Sequence, residues 1–316
     1  MVKVVFFGTE RESSQVLGKL IENGIEIIAV VTKPDSPRGR GQIISSPAIK
    51  KLAQQRGIPV VQPEKLTRSV ILNLFQDPDK QSDNISGFRI ESGMTNTIGV
   101  LVSYGKIVPK EIIDSFPHGI INIHPSLLPK YRGPSPIETA IANGDSETGV
   151  SLMSLSPEMD AGPIYVQEKL ALSGKETKPT LYEKLFSVGS DLLINNIDKI
   201  ISGGLKPVPQ DNAHASYTKL LNKNDGVLDP TTMTASECER KVRAYLGFPR
   251  TRIPLLGQEV IITGAKVLPD FTGDNWPDVI KCADDTYLQI TEVISPHSGK
   301  QMKTADYLRG LHAQNT

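Results

Sequence analysis

Apolar residues in the first half of the chain fall in short runs separated by stretches of helical spacing. Residues 2–7 form an almost continuous apolar run that ends at Gly8, the pattern of a strand buried on both faces. Val16, Leu17, Leu20 and Ile21 then share one face of a helix closed by Asn23-Gly24. Residues 25–31 predict a second strand, 47–56 a helix, and 58–61, 98–102 and 120–123 further strands. Strands alternating with helices imply a mostly parallel sheet covered on both faces. Ligands of such sheets bind beyond the carboxyl ends of the strands. Gly8, Ser103-Tyr104-Gly105 and His124-Pro125 all fall at such ends.

Three stretches break the alternation. Lys33-Pro34-Asp35-Ser36-Pro37-Arg38-Gly39-Arg40-Gly41 is basic, rich in Pro and Gly and without period, so a loop is expected. Residues 80–97 are mostly polar and read as an exposed insertion. Thr180-Leu181-Tyr182-Glu183 has the form of a capping box, starting a helix that runs to Gly203-Gly204. Residues 206–216, with Pro207 and Pro209, then read as a linker.

Beyond the linker the texture changes. A second capping box, Thr234-Ala235-Ser236-Glu237, opens a short helix to about Tyr245. Short β runs follow at 260–262, 266–268, 279–282, 287–290 and 292–294, and a helix at 304–311 closes the chain. The fold class expected is therefore α/β: a Rossmann-like, mostly parallel sheet domain followed by a small OB-like β-barrel. The expected divisions are 1–205 for the first domain, 206–216 for the linker and 217–316 for the barrel.

Composition narrows the partners only slightly. Lys+Arg and Asp+Glu both number 35 in 316 residues, so a polyanion would have to be met by local patches rather than by bulk charge. Cys238 and Cys282 give neither a disulfide framework nor a zinc spacing and are expected as reduced thiols. No apolar run reaches membrane-spanning length. The amino-terminal run reads as a strand rather than a leader, and a cytoplasmic monomer is expected.

The candidate chemistry lies at the end of the strand near residue 120. Asn122 and His124 are two apart, and positions i and i+2 of a strand point to one face. Pro125 and Pro129 stiffen the loop that follows, and Tyr131-Arg132-Gly133 ends it. Asp160 stands in Met159-Asp160-Ala161-Gly162-Pro163, a loop that gives a carboxylate little structural reason to be there. An amide, an imidazole and a carboxylate at one point suit acyl transfer, with donors for an oxyanion and a partner for the imidazole.

The string His124-Pro125-Ser126-Leu127-Leu128-Pro129-Lys130-Tyr131-Arg132-Gly133, followed by Met159-Asp160-Ala161-Gly162, resembles the formyltransferases that use 10-formyltetrahydrofolate. Ser103-Tyr104-Gly105 and Gly149-Val150-Ser151 match further segments of that family in the same order. The resemblance implies catalytic roles for Asn122, His124 and Asp160. It also implies folate contacts by Ser126, Leu127, Leu128, Pro129, Tyr104 and Gly105, with 10-formyltetrahydrofolate as formyl donor and no metal.

Within the family, the basic segment around Arg38-Gly39-Arg40-Gly41 and the second domain resemble the enzymes that formylate methionyl-tRNA. That branch implies initiator methionyl-tRNA as partner. The residues expected to meet it are Arg38 and Arg40, Lys106 and Arg132 near the site, and Arg240, Lys241 and Arg243 in the second domain. An acceptor of another class, a nucleotide-linked amino sugar, is the alternative. A dinucleotide oxidoreductase is disfavoured because the first strand ends in a lone Gly8 without Gly-x-Gly-x-x-Gly. A noncatalytic binding protein is disfavoured by the intact Asn, His and Asp set.

Overall fold

The computed structural model describes residues 2–38, 43–73, 96–255, 257–271 and 276–314. Up to the middle of the chain the elements are β1 (Lys3–Gly8), α1 (Arg11–Glu22), β2 (Glu26–Val31), β3 (Ser36–Arg38), β4 (Ile43–Ser45), α2 (Ala48–Gln55), β5 (Val60–Val61), α3 (Arg68–Asn73), β6 (Thr97–Val102), α4 (Lys110–Ile113) and β7 (Ile120–His124). Then come α5 (Pro136–Asn143), β8 (Glu147–Ser154), β9 (Ile164–Ala171), α6 (Lys178–Ile201), α7 (Ala235–Ala244), β10 (Thr251–Leu255), β11 (Gln258–Leu268), β12 (Val279–Lys281), β13 (Tyr287–Ile294), β14 (Gln301–Lys303) and α8 (Thr304–Gln314).

The chain forms two compact units. One gathers Met1–Arg132, Gly149–Lys169 and Glu183–Ser216; the other gathers Gly133–Thr148, Leu170–Tyr182 and Tyr217–Thr316. The second unit thus takes α5 and the first residues of α6 together with the carboxyl-terminal third. Residues 206–216, expected as a linker, belong to the first unit.

The first unit is built on a sheet of order β5-β2-β1-β6-β7-β8-β9. The pairs β2–β5, β1–β2, β1–β6 and β6–β7 are parallel, and β8 returns antiparallel to β7. Strand order reverses between β1 and β6, which opens a crevice at their carboxyl ends. Thr9 forms the floor of this crevice. Its Oγ1 donates to the Tyr104 carbonyl at 3.0 Å and accepts from the Lys33 N–H at 3.4 Å, tying the ends of three strands. Ser13 closes the turn into α1 by accepting from the Thr9 N–H at 3.1 Å and donating to the Val102 carbonyl at 2.6 Å. Phe7 packs edge-on against Tyr104 and Phe116 in the core below.

In the second unit the strands run β10-β11-β13-β12, with β14 on β13, all antiparallel. They form a curled half-barrel of OB-like type. Its core takes Cys238 and Val242 from α7, Val260, Ile262, Leu288 and Ile290 from the strands, and Tyr307 and Leu308 from α8. Burial pushes the Cys238 thiol up to about 12, so it is a poor nucleophile at neutral pH. Among the described residues no helix is long and apolar enough to cross a membrane.

Several local expectations are corrected. The basic segment after β2 is not a plain loop: β3 and β4 pair as an antiparallel hairpin. Asp35 pins its base, accepting from Ser46 Oγ, Lys50 Nζ and Gln62 Nε2 at 2.9, 2.8 and 2.7 Å. These bonds, led by that from Lys50, lower the Asp35 carboxyl to about 2. Helix α6 starts at Lys178, ahead of the expected cap at Thr180, and Thr177 and Thr180 bond to each other across its first turn. The runs 260–262 and 266–268 are one strand, β11, bulged at Gly264, and 287–294 is likewise continuous. Strands β10 and β14 were not expected. The insertion read at 80–97 lies almost wholly outside the described residues.

Candidate active site

Strand β7 delivers Asn122 and His124 to one face, both buried, at 7% and 4% exposure. Asn122 lies level with Leu101 of β6, so His124 stands at the mouth of the sheet. Asp160 arrives on the segment between β8 and β9. Its Oδ1 lies 3.4 Å from Asn122 Nδ2 and 3.6 Å from His124 Nδ1. The three side chains named from the sequence therefore converge on one carboxylate oxygen.

The imidazole is bonded at one nitrogen and faces a carboxylate with the other. Nε2 lies 2.9 Å from the Tyr131 carbonyl oxygen, which only accepts, so Nε2 carries the proton of that bond. Nδ1 faces the Asp160 carboxylate. This differs from a histidine that offers Nε2 to a substrate oxygen, because that nitrogen is already bonded. Both contacts come from left-handed backbone, φ +62° at Tyr131 and +48° at Asp160. Aspartate tolerates that region better than most residues. Gly162, two residues on, permits the tight return of the loop, since a Cβ there would overlap the Ser154 carbonyl.

The loop after His124 is fixed by its own polar groups. Ser126 Oγ donates to the Lys130 carbonyl at 2.6 Å, and Ser151 Oγ donates to the Ser126 carbonyl at 2.6 Å. The Leu128 N–H donates to Ser151 Oγ at 3.1 Å, and Gln167 Nε2 donates to the Leu128 carbonyl at 2.8 Å. Leu127 lies over Gly149, where a Cβ would collide with it and with the Glu168 carbonyl.

Comparison with known proteins extends the resemblance from these motifs to the whole chain. The model of the formyl transferase family matches residues 2–197. The chain belongs to that family. A relative from Roseiflexus castenholzii named methionyl-tRNA formyltransferase is 34% identical over 318 residues, covering 98% of this chain and 96% of its own. Among solved structures, an N-formyltransferase from Helicobacter canadensis, in complex with folinic acid and dTDP-3-aminofucose, superposes with a TM-score of 0.66. It is 20% identical and covers 92% of this chain and 99% of its own. The methionyl-tRNA formyltransferase of Clostridium thermocellum superposes with a TM-score of 0.55 at 16% identity, covering 84% of this chain and 93% of its own. These structural likenesses establish the formyl transferase fold for this chain and do not separate acceptors.

With the family in hand, the remaining expected residues divide. Tyr104, expected as a folate contact, is 1% exposed, its ring belongs to the core, and burial pushes its hydroxyl up to about 12. Gly105 is exposed at the crevice, with the Lys33 ammonium lying against it. Arg132 is corrected. It is 2% exposed, and its guanidinium bonds Gln210 Oε1 and Asn212 Oδ1, so it is an internal cross-link and not a surface cation. Arg243 is taken up by Glu239 in a two-bond pair and by the Glu176 carbonyl. Lys106 donates to the carbonyls of Pro63 and Glu64 at 3.1 and 2.9 Å, and Arg240 Nε to that of Ala142 at 3.0 Å. Lys241 Nζ rests 3.7 Å from Met233 Sδ. Arg40 and the side chain of Arg38 lie outside the described residues.

Sequence reading missed Ser151 and Gln167 as supports of the loop, Lys33 at the crevice, and Gln210. Ser151 was within reach, since it stands in the Gly149-Val150-Ser151 match. Gln167 carried no signal beyond being a polar residue on a strand. Among the described residues there is no group of three or more His, Cys, Asp or Glu that could hold a metal ion.

Proposed function

We propose that this chain transfers the formyl group of 10-formyltetrahydrofolate to the α-amine of methionine esterified to initiator tRNA, working in the cytoplasm as a monomer. The reading is carried by the convergence of Asn122 and His124 on Asp160 at 3.4 and 3.6 Å. Identity of 34% across nearly the full length of a methionyl-tRNA formyltransferase supports tRNA over a nucleotide-linked amino sugar as acceptor.

In this reading residues 1–205 carry the chemistry and 217–316 meet the tRNA. The amine attacks the formyl carbon, and negative charge develops on the formyl oxygen. Asn122 donates to that oxygen through the amide hydrogen not turned to Asp160, and His124 donates from Nδ1, which lies 3.6 Å from Asp160 and beyond hydrogen-bond range of it. Each donor of this kind is worth about a hundredfold to a thousandfold in rate. Asp160 holds the imidazolium charge and accepts the amine's proton directly or through water. The carbon–N10 bond breaks as N10 takes that proton back from Asp160, directly or through water, so that the proton lost by the amine leaves on tetrahydrofolate. The fixed loop 126–129 fits a folate through the surfaces of Leu127 and Pro129, with Gly105 admitting the ligand's close approach. The candidate phosphate contacts are Arg38 and Arg40, with Lys33 at the crevice and Lys241 and Arg240 in the second unit.

Formylation assayed on methionyl initiator tRNA and on a nucleotide-linked amino sugar, with the same donor, tests the reading. Turnover on the charged tRNA alone is expected. Turnover on the amino sugar alone would reassign the acceptor, and none on either would remove the activity.

A further inference from the structure

The segment that follows α6 reaches back into the site through one side chain. Gln210 Nε2 donates to the carbonyl of Asp160 at 2.8 Å and to that of Gly162 at 2.7 Å. Its Oε1 accepts from Arg132 Nε at 3.0 Å and Nη2 at 2.8 Å. The amide orientation is unambiguous, because guanidinium groups only donate and carbonyls only accept. Both amide hydrogens and both oxygen lone pairs are thus used. Arg132 is anchored further by Asn212 Oδ1 at 2.7 Å, and its own N–H donates to the Ser216 carbonyl at 2.8 Å. Ser216 Oγ also accepts from the Tyr131 N–H at 2.9 Å.

His124 is bonded at Nε2 by the Tyr131 carbonyl, and its Nδ1 lies 3.6 Å from the Asp160 carboxylate. Both residues sit in left-handed backbone, which persists only where the surroundings over-determine it. The Gln210–Arg132 pair joins these two turns: Arg132 is the residue after Tyr131, and Gln210 holds the Asp160 carbonyl. We infer that Gln210, braced by Arg132, is a positioning residue for formyl transfer, fixing the distance between the two turns that orient the His124 imidazole. The inference rests on the roles proposed above for His124 and Asp160. Gln210 touches neither substrate in this account and acts through the backbone of Asp160.

Gln210→Glu tests it. The variant keeps the size and the Arg132 contact but sets a carboxylate oxygen against two carbonyls, loosening the Asp160 turn. Displacement on this scale costs about ten- to a hundredfold in turnover. The expected result is a kcat lower by that factor, KM for donor and tRNA within about threefold, a retained cooperative melting transition, and displaced His124 ring resonances in ¹⁵N-histidine spectra. A folded variant with wild-type kcat, or with His124 resonances in their wild-type positions, would overturn the inference. Should Gln210→Glu fail to fold, the same measurements on Arg132→Lys, which removes one arm of the fork, decide in the same way. Failure of the functional reading is separable, since it would show as wild-type protein inactive on methionyl-tRNA whatever Gln210 does to the His124 spectrum.

Discussion

At the scale of single residues, the carboxylate of Asp160 does more than any other group in the site. It is the common partner of Asn122 and His124, and an amide in its place would present a donor or a neutral oxygen to an imidazole that needs an anion. Asp160→Asn is therefore expected to lower kcat by at least about a hundredfold while donor binding, read by calorimetry, is kept. Turnover near the wild-type level would end the role given to Asp160. Asn122 and His124 were legible from two-residue periodicity alone, because a strand translates spacing directly into facing. Asp160 was marked by its Gly- and Pro-bounded loop, and the family's motif tied it to residues 38 and 36 positions earlier. Gln210 was not legible at all. It lies 50 residues from Asp160 and 78 from Arg132, inside a Pro-rich stretch whose composition is that of a linker. Arg132 misled for the related reason that an arginine beside a site reads as a cation for substrate until its burial is known.

Elements were legible where one physical signal dominated. The parallel strands of the first unit are mostly apolar because both faces are covered, and their alternation with helices pointed to a parallel sheet, though not to its order. Strand β10 was hidden by Pro254, which reads as a breaker; at the end of the sheet its missing N–H costs no ladder bond, and the alternation of Thr251, Ile253 and Leu255 inward survives. The split reading of β11 came from Gly264, which marks a bulge rather than a turn. Pro37 obscured the β3–β4 hairpin in the same manner. Caps were less even. The Thr180 pattern was displaced by Pro179, which favours the first turn of a helix and moved its start to Lys178. Thr234 is the opposite case: its side chain accepts from the Glu237 N–H, and Glu237 accepts from the Thr234 N–H at 2.7 Å. Thr234→Ala should accordingly destabilise the second unit by about 0.5–2 kcal/mol. Urea unfolding followed by circular dichroism measures this; an unchanged midpoint would mean that packing of Cys238 and Val242 holds α7 without its cap.

At the scale of the whole molecule the question is how a chain of zero formal net charge grips a polyanion. Bulk attraction is unavailable, so affinity must come from a few cations not already bonded within the protein. Structure shortens the roster of candidates. Arg132 and Arg243 are committed to internal partners, and Lys106 to two carbonyls. Among the described candidates of the first unit the Lys33 ammonium against Gly105 remains, and the sequence adds Arg38 and Arg40. Asp35, anchored by Lys50, Ser46 and Gln62, holds the base of the β3–β4 hairpin. Each phosphate neutralised releases close to one counterion, so the salt dependence of tRNA binding reports how many of these side chains are engaged. Replacing Arg38 and Arg40 together by alanine should raise KM for methionyl-tRNA, leave KM for the folate unchanged, and flatten the slope of log affinity against log salt by about 2. Binding measured between low and physiological salt would read the slope directly. If the double variant keeps both its activity on tRNA and its salt slope, the hairpin is idle toward tRNA. The electrostatic contact would then fall to Lys33 on the crevice side and to Lys241 in the second unit, with Arg240 partly engaged by the Ala142 carbonyl.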